Sequence, residues 1–149
     1  MADFDRSLTV DGLAAARALG KCLAEQRLVP ESVICSPAKR TRETWDAVAA
    51  ELAKPPSVAF LDALYSADSA TYLDIIRQHG GDNSTMVVGH NPMMEDLAIA
   101  LSAEGDEANL AALRGGFPAC GLAVIAFNAP LSNIEPSSGR LERFLVPQA

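Results

Sequence analysis

Two short apolar runs, each ending where a helix is set to begin, constrain this 149-residue chain more than any other feature. Ser32-Val33-Ile34-Cys35-Ser36 runs into Pro37, and Thr85-Met86-Val87-Val88 runs through Gly89-His90 into Pro92. Proline is tolerated in the first helical turn, where its missing N–H costs nothing. Each junction therefore reads as a buried strand feeding a helix. The same alternation extends on both sides. Thr9 is set to cap an Ala- and Leu-rich helix ending near Gln26, and a helix from Pro37 to about Ala53 stops at Pro55-Pro56. Val58 to Leu61 reads as a strand, followed by a loop through Tyr65 and Ser66. A helix from about Ala70 to Gln78 follows, with Ser69 as its cap and Gly80-Gly81 as its stop. Further helices are expected from Pro92 to about Ser102 and from Asp106 to Leu113. Leu122–Phe127 and Arg140–Leu145 read as strands, paired antiparallel at one edge. Alternation at these spacings implies an α/β layer, a mostly parallel sheet flanked by helices, in one domain spanning 1–149.

Composition narrows the partners. With 49% hydrophobic residues the chain can bury a core, and a net charge of -7 opposes bulk binding of nucleic acid or of an anionic membrane. The longest clean apolar run, Leu122 to Phe127, is too short to span a bilayer, and the first residues lack the pattern of an export signal. Asn83-Ser84-Thr85 therefore reads as an accidental sequon. Cys22, Cys35 and Cys120 contain no C-x-x-C pair and only two histidines accompany them, which argues against a metal site and for free thiols. A cytoplasmic location is the expectation.

In an α/β sheet, ligands bind beyond the carboxyl ends of the strands, which directs attention to both junctions. In Ser36-Pro37-Ala38-Lys39-Arg40-Thr41-Arg42-Glu43-Thr44, three basic residues crowd a helix start, where acids are usual. Orphan N–H groups together with a guanidinium make an oxyanion or phosphate cradle, with Arg40 and Thr44 on one face. A solvated basic helix face explains the pattern equally well. His90, at a strand end, is either a site residue or a histidine satisfied by nearby backbone, whereas His79 closes a helix and is given no catalytic role. Arg6, in Asp3-Phe4-Asp5-Arg6-Ser7-Leu8-Thr9, either pairs with Asp3 or Asp5 or reaches into the same anion site. Asp62 and Asp68 are the acids available as proton donors, with solvated loop carboxylates as the simpler reading.

Four segments in order resemble the SixA-type phosphohistidine phosphatases of the histidine phosphatase, or phosphoglycerate mutase-like, superfamily. They are D-x-x-R-x-L-T-x-x-G (Asp3 to Gly12), S-P-x-x-R-x-x-x-T (Ser36 to Thr44), V-V-G-H-N-P (Val87 to Pro92) and F-P-x-x-G-L-A (Phe117 to Ala123). The resemblance implies a phosphoglycerate mutase-like fold and a phosphatase acting on phosphohistidine proteins or small phosphate esters. The chemistry would need neither cofactor nor metal and would pass through a covalent phosphohistidine. It implies that Arg40 clamps the phosphoryl group, that His90 helps to hold it, and that Arg6 is a further phosphate-binding arginine. The family's nucleophile belongs to an Arg-His pair on a first, central strand, and no Arg-His pair occurs in this sequence. The expectation is therefore a chain lacking that strand, with Met1 an internal methionine, inactive as it stands. A phosphate-binding pseudoenzyme is the alternative, and self-association across the gap left by the strand is a further expectation.

Overall fold

In the computed structural model, which describes residues 2–80 and 84–147, six helices and six strands account for the regular structure among the described residues. Met1, Gly81 of the expected helix stop and Asn83 of the sequon lie outside them. The order is α1 (Val10–Gln26), β1 (Ser32–Cys35), α2 (Lys39–Ala49), β2 (Val58–Phe60), α3 (Ala63–Ser66), α4 (Ser69–Gly80), β3 (Thr85–Val88), α5 (Met93–Leu101), β4 (Ser102–Gly105), α6 (Glu107–Arg114), β5 (Leu122–Ala126) and β6 (Gly139–Leu145). Short 3-10 turns lie at Asp3–Asp5 and Leu131–Asn133. The fold is α/β, with a parallel sheet flanked by helices.

Thr9 caps α1 as its residue type requires, accepting the Gly12 N–H at 3.0 Å. Three local readings are corrected. Helix α2 starts at Lys39 rather than Pro37 and ends at Ala49, because Ser36-Pro37-Ala38 stays outside the helix to carry the site. Tyr65 lies in the one-turn helix α3, not in a loop. Asp68, not Ser69, caps α4, accepting the Thr71 N–H at 2.9 Å; that bond to the cap holds its carboxyl below the usual range. The helix opened by Pro92 closes at Ser102, its C-cap, as expected, but Ser102 also opens β4, a strand absent from the sequence reading.

The first sheet has the order β2-β1-β3, all parallel, with Val33 beside Val58 and Met86. Alternation along β1 sorts its side chains by layer. Val33 and Cys35 pack with Leu19, Leu23, Trp45 and Val48 of α1 and α2, while Ile34 packs with Tyr72, Ile76 and Leu97 of α4 and α5. The helices α1 and α2 press together where Gly20 lies; a Cβ there would stand 2.7 Å from the Val48 carbonyl oxygen. Cys35 is sealed in this layer, and burial pushes its thiol up to about 12.

The second sheet has the order β4-β6-β5, with β6 parallel to β4 and antiparallel to β5. The expected β5–β6 pair therefore forms, but β6 is central to its sheet rather than part of an edge pair. One continuous sheet does not form among the described residues. Strand β3 pairs only with β1 and β5 only with β6, so each keeps one unpaired edge among the described residues. A cavity of about 430 Å³ lies between the sheets, lined by Thr85–Val87 of β3, Leu122–Ile125 of β5, and Leu97 and Leu101 of α5.

Candidate functional site

Strands β1 and β3 run parallel and end side by side, so the residues that follow them meet. The Ser36 N–H donates to the Val88 carbonyl at 2.9 Å, one step past the paired residues Cys35 and Val88. This places Ser36 beside Gly89-His90. Gly89 is required there by close packing: a Cβ would stand 2.8 Å from the Tyr72 ring and 3.0 Å from Met94 Sδ. The group that approaches so closely is the Tyr72 side chain, whose hydroxyl donates to the Leu64 carbonyl.

The first turn of α2 brings Arg40 to the same point. Its Nη2 lies 3.1 Å from His90 Nδ1 and 3.2 Å from Asp3 Oδ2, while Nη1 donates to the Asp3 carbonyl at 3.0 Å. Of the other basic residues in that segment, Lys39 is exposed and Arg42 donates to the Pro37 carbonyl at 2.8 Å, so only Arg40 enters the site. Thr44 shares the face of Arg40 as expected, but its hydroxyl donates to the Arg40 carbonyl at 2.8 Å.

His90 is 7% exposed and bonded on both ring nitrogens, with Nε2 2.7 Å from Ser36 Oγ. Burial, then the Arg40 charge, pushes its imidazole below the usual histidine range, with Asp3 opposing the shift. The imidazole is therefore neutral near pH 7. The Asp3 carboxylate, exposed at the mouth of the site, accepts from the Tyr65 hydroxyl at 2.7 Å as well as from Arg40. These partners, the tyrosine first, hold it below the usual carboxylate range. The Tyr65 ring stands edge-on to His90 with centroids 5.4 Å apart and edge-on to Phe4 with centroids 5.1 Å apart.

A cleft of about 300 Å³ joins Arg40 and His90 to the Phe117–Leu122 loop, which Asn91 ties in by donating to the Phe117 carbonyl at 2.7 Å. Three of the four sequence motifs thus meet around one cleft, and the fourth reaches it through Asp3, Leu8 and Gly12. Arg6 stays outside, its side chain 68% exposed and 3.9 Å from Asp3 Oδ1. Asp62 is exposed beside α3, and Asp68 is committed to its cap. His79 is exposed at the end of α4. Among the described residues no group of three or more potential ligands could hold a metal ion. The parts that sequence reasoning missed are Asp3, Tyr65 and the Ser36 hydroxyl. Asp3 and Ser36 lay inside the quoted motifs, but no local pattern marks Tyr65.

An arginine, an imidazole and an exposed carboxylate thus meet at the mouth of one cleft, with the carboxylate paired to the arginine. Residues 2–65 match the family described as histidine phosphatase superfamily (branch 1). A Mycobacterium tuberculosis protein described as uncharacterized is 32% identical over 99% of this chain and 93% of its own length. The chain belongs to the histidine phosphatase superfamily. A Mycobacterium leprae protein, likewise described as uncharacterized, is 31% identical over 99% of this chain and 91% of its own length. Among solved histidine phosphatase folds, one from Agrobacterium tumefaciens that carries the name phosphohistidine phosphatase SixA superposes with a TM-score of 0.81. It is 35% identical and covers 99% of this chain and 87% of its own. A SixA-named structure from Nakamurella multipartitia gives a TM-score of 0.87 at 28% identity, covering 100% of this chain and 89% of its own. The histidine phosphatase SixA complexed with tungstate gives 0.76 at 21% identity, covering 98% and 87%, which is a likeness of fold. Among the described residues, no helix is long and apolar enough to cross a membrane.

Proposed function

We propose that this chain forms the phosphoryl-binding body of a SixA-type phosphatase, which acts on phosphohistidine proteins or small phosphate esters once a further strand completes its sheet. The observation that carries the reading is the slot between β3 and β5, flanked by two unpaired strand edges. A strand lying there parallel to β3 would end beside His90, because β3 itself leads directly into Gly89-His90. An Arg-His pair at that end would face the Arg40–His90 seat. By family resemblance its histidine would attack phosphorus while the bond to the leaving group breaks and the leaving group takes up a proton. Water would then attack the phosphohistidine, releasing phosphate and restoring the imidazole. Such transfer depends mainly on positioning and charge stabilisation, which a guanidinium clamp supplies without metal. Asp3 would give up its place on Arg40 to the phosphoryl group, and Arg6, held beside it by Asp3, would turn toward the same anion.

We place the protein in the cytoplasm, where its free cysteines stay reduced. The competing reading is a phosphate-binding pseudoenzyme. What favours it is that His90 is the only histidine at the site and its Nε2 is engaged with Ser36. Adding an N-terminal strand that ends in Arg-His distinguishes the two. We expect the extended protein to hydrolyse phosphohistidine or a small phosphate ester, the unextended chain to turn over little, and Arg40→Ala to abolish phosphate binding in both. Phosphate binding without turnover in the extended protein would establish the pseudoenzyme. A concentration-dependent mass lost on extension would show two copies filling each other's slot, whereas a strict monomer at all concentrations would exclude that arrangement.

A further inference from the structure

Ser36 is fully buried, and its hydroxyl faces the site rather than the core. Its backbone is fixed on both sides. Its N–H donates to Val88, and its carbonyl accepts from Thr41 Oγ1 at 2.8 Å and from Cys35 Sγ at 3.3 Å. The Ala38 N–H donates to Ser36 Oγ at 3.3 Å, further limiting where the hydroxyl can point. Counting donors then assigns the His90 tautomer. A guanidinium only donates, so Nδ1, 3.1 Å from Arg40 Nη2, must accept. The proton of the neutral ring is therefore on Nε2, and Ser36 Oγ accepts it across 2.7 Å.

We propose that Ser36 is the positioning residue of His90: its hydroxyl holds the proton on Nε2 and keeps Nδ1 directed at the phosphoryl seat. This rests on the reading of the site as a phosphoryl seat. When an anion replaces Asp3 on Arg40, Nδ1 takes up a proton from solvent and donates to an anion oxygen. Ser36 accepts from Nε2 in the neutral and the cationic ring alike, so binding requires no reversal of that bond. The charged or titratable groups facing the ring are Arg40 from α2, Asp3 from the N-terminal turn, Tyr65 from α3 and Tyr72 from α4, whose hydroxyl lies at the His90 backbone. Asp3 and the incoming anion are the negative ones, and only the anion would meet Nδ1 directly.

The test is ring-nitrogen NMR of the full chain, with His79 removed from the spectrum by His79→Gln and inorganic phosphate as the probe. In the parent we expect one Nε2–H tautomer for His90, converted by phosphate to the doubly protonated ring. Ser36→Ala should give mixed tautomers and weaken phosphate binding about tenfold, the scale of one lost hydrogen bond to a charged group. Ser36→Thr, which keeps the hydroxyl, should restore the single tautomer. Ser36→Cys, close in size but a weak acceptor, replaces the alanine variant if that fails to fold. An Nδ1–H tautomer in the parent, or ring signals unchanged on removal of the hydroxyl, would overturn the proposal. If the tautomer responds but phosphate binds neither protein, the positioning role stands and the phosphoryl-seat reading fails.

Discussion

At Arg40 one guanidinium serves three partners, the Asp3 carbonyl, the Asp3 carboxylate and His90, and two of them come from a residue at the mouth of the cleft. An anion entering the seat must compete with that carboxylate. Asp3→Asn removes the competing charge and leaves a side chain of nearly the same size. We expect phosphate affinity to rise by roughly two- to fivefold, the modest scale of an exposed ion pair, and the gain to shrink with added salt. Calorimetric titration of both proteins with inorganic phosphate checks it, and an unchanged or weaker affinity in the variant would count against Asp3 as an internal competitor.

Among the elements, β3 and β5 are the unusual ones. A strand edge without a partner leaves N–H groups to water, and these sheets present two such edges across an apolar cavity. Strand β1, paired on both sides, and β6, central between β4 and β5, have no such edge. Hydrogen exchange should therefore separate them. We expect the slot-facing amides of β3 and β5 to exchange at least tenfold faster than amides of β1 and β6, and an added N-terminal strand to remove the difference. Equal protection of all four strands in the unextended chain would mean that the slot is already closed in solution.

For the whole molecule, acidification sets two effects against each other. Lowering the pH from 7 toward the pI near 4.7 reduces the net charge of -7 and with it self-repulsion, which favours the compact state. His90 acts in the other direction. Its folded pKa lies below the ordinary value of 6.5, so the unfolded chain binds the proton first. Its stabilising contribution is present above pH 6.5 and is lost as pH falls through the folded value. The comparison with His90→Gln isolates that contribution. Denaturant unfolding between pH 7.5 and 5 should show the parent losing stability relative to the variant below about pH 6.5. Parallel curves across that range would show that the imidazole is not held neutral by the fold.

The sequence by itself determined which segments are strands and helices wherever one local rule dominated. Thr9 capped its helix, prolines marked both strand-to-helix junctions, and the motifs pointed to Arg40 and His90. Its local errors came where tertiary contacts compete with local rules: Ser36-Pro37-Ala38 stays out of α2 beside His90, Asp68 rather than Ser69 takes the cap, and the strand β4 that follows α5 to pair with β6 was not read at all. Only the tertiary structure decided that Arg40 rather than Lys39 or Arg42 enters the cleft, that Asp3 and Tyr65 lie beside it, and that the Ser36 hydroxyl meets the ring of His90. Those facts depend on contacts between residues 37 to 62 positions apart, namely Asp3 with Arg40 and Tyr65, Arg40 with His90, and Ser36 with His90. Periodicity and capping act within a turn or two of the chain, so they carry no information about which distant side chains meet at the ends of β1 and β3.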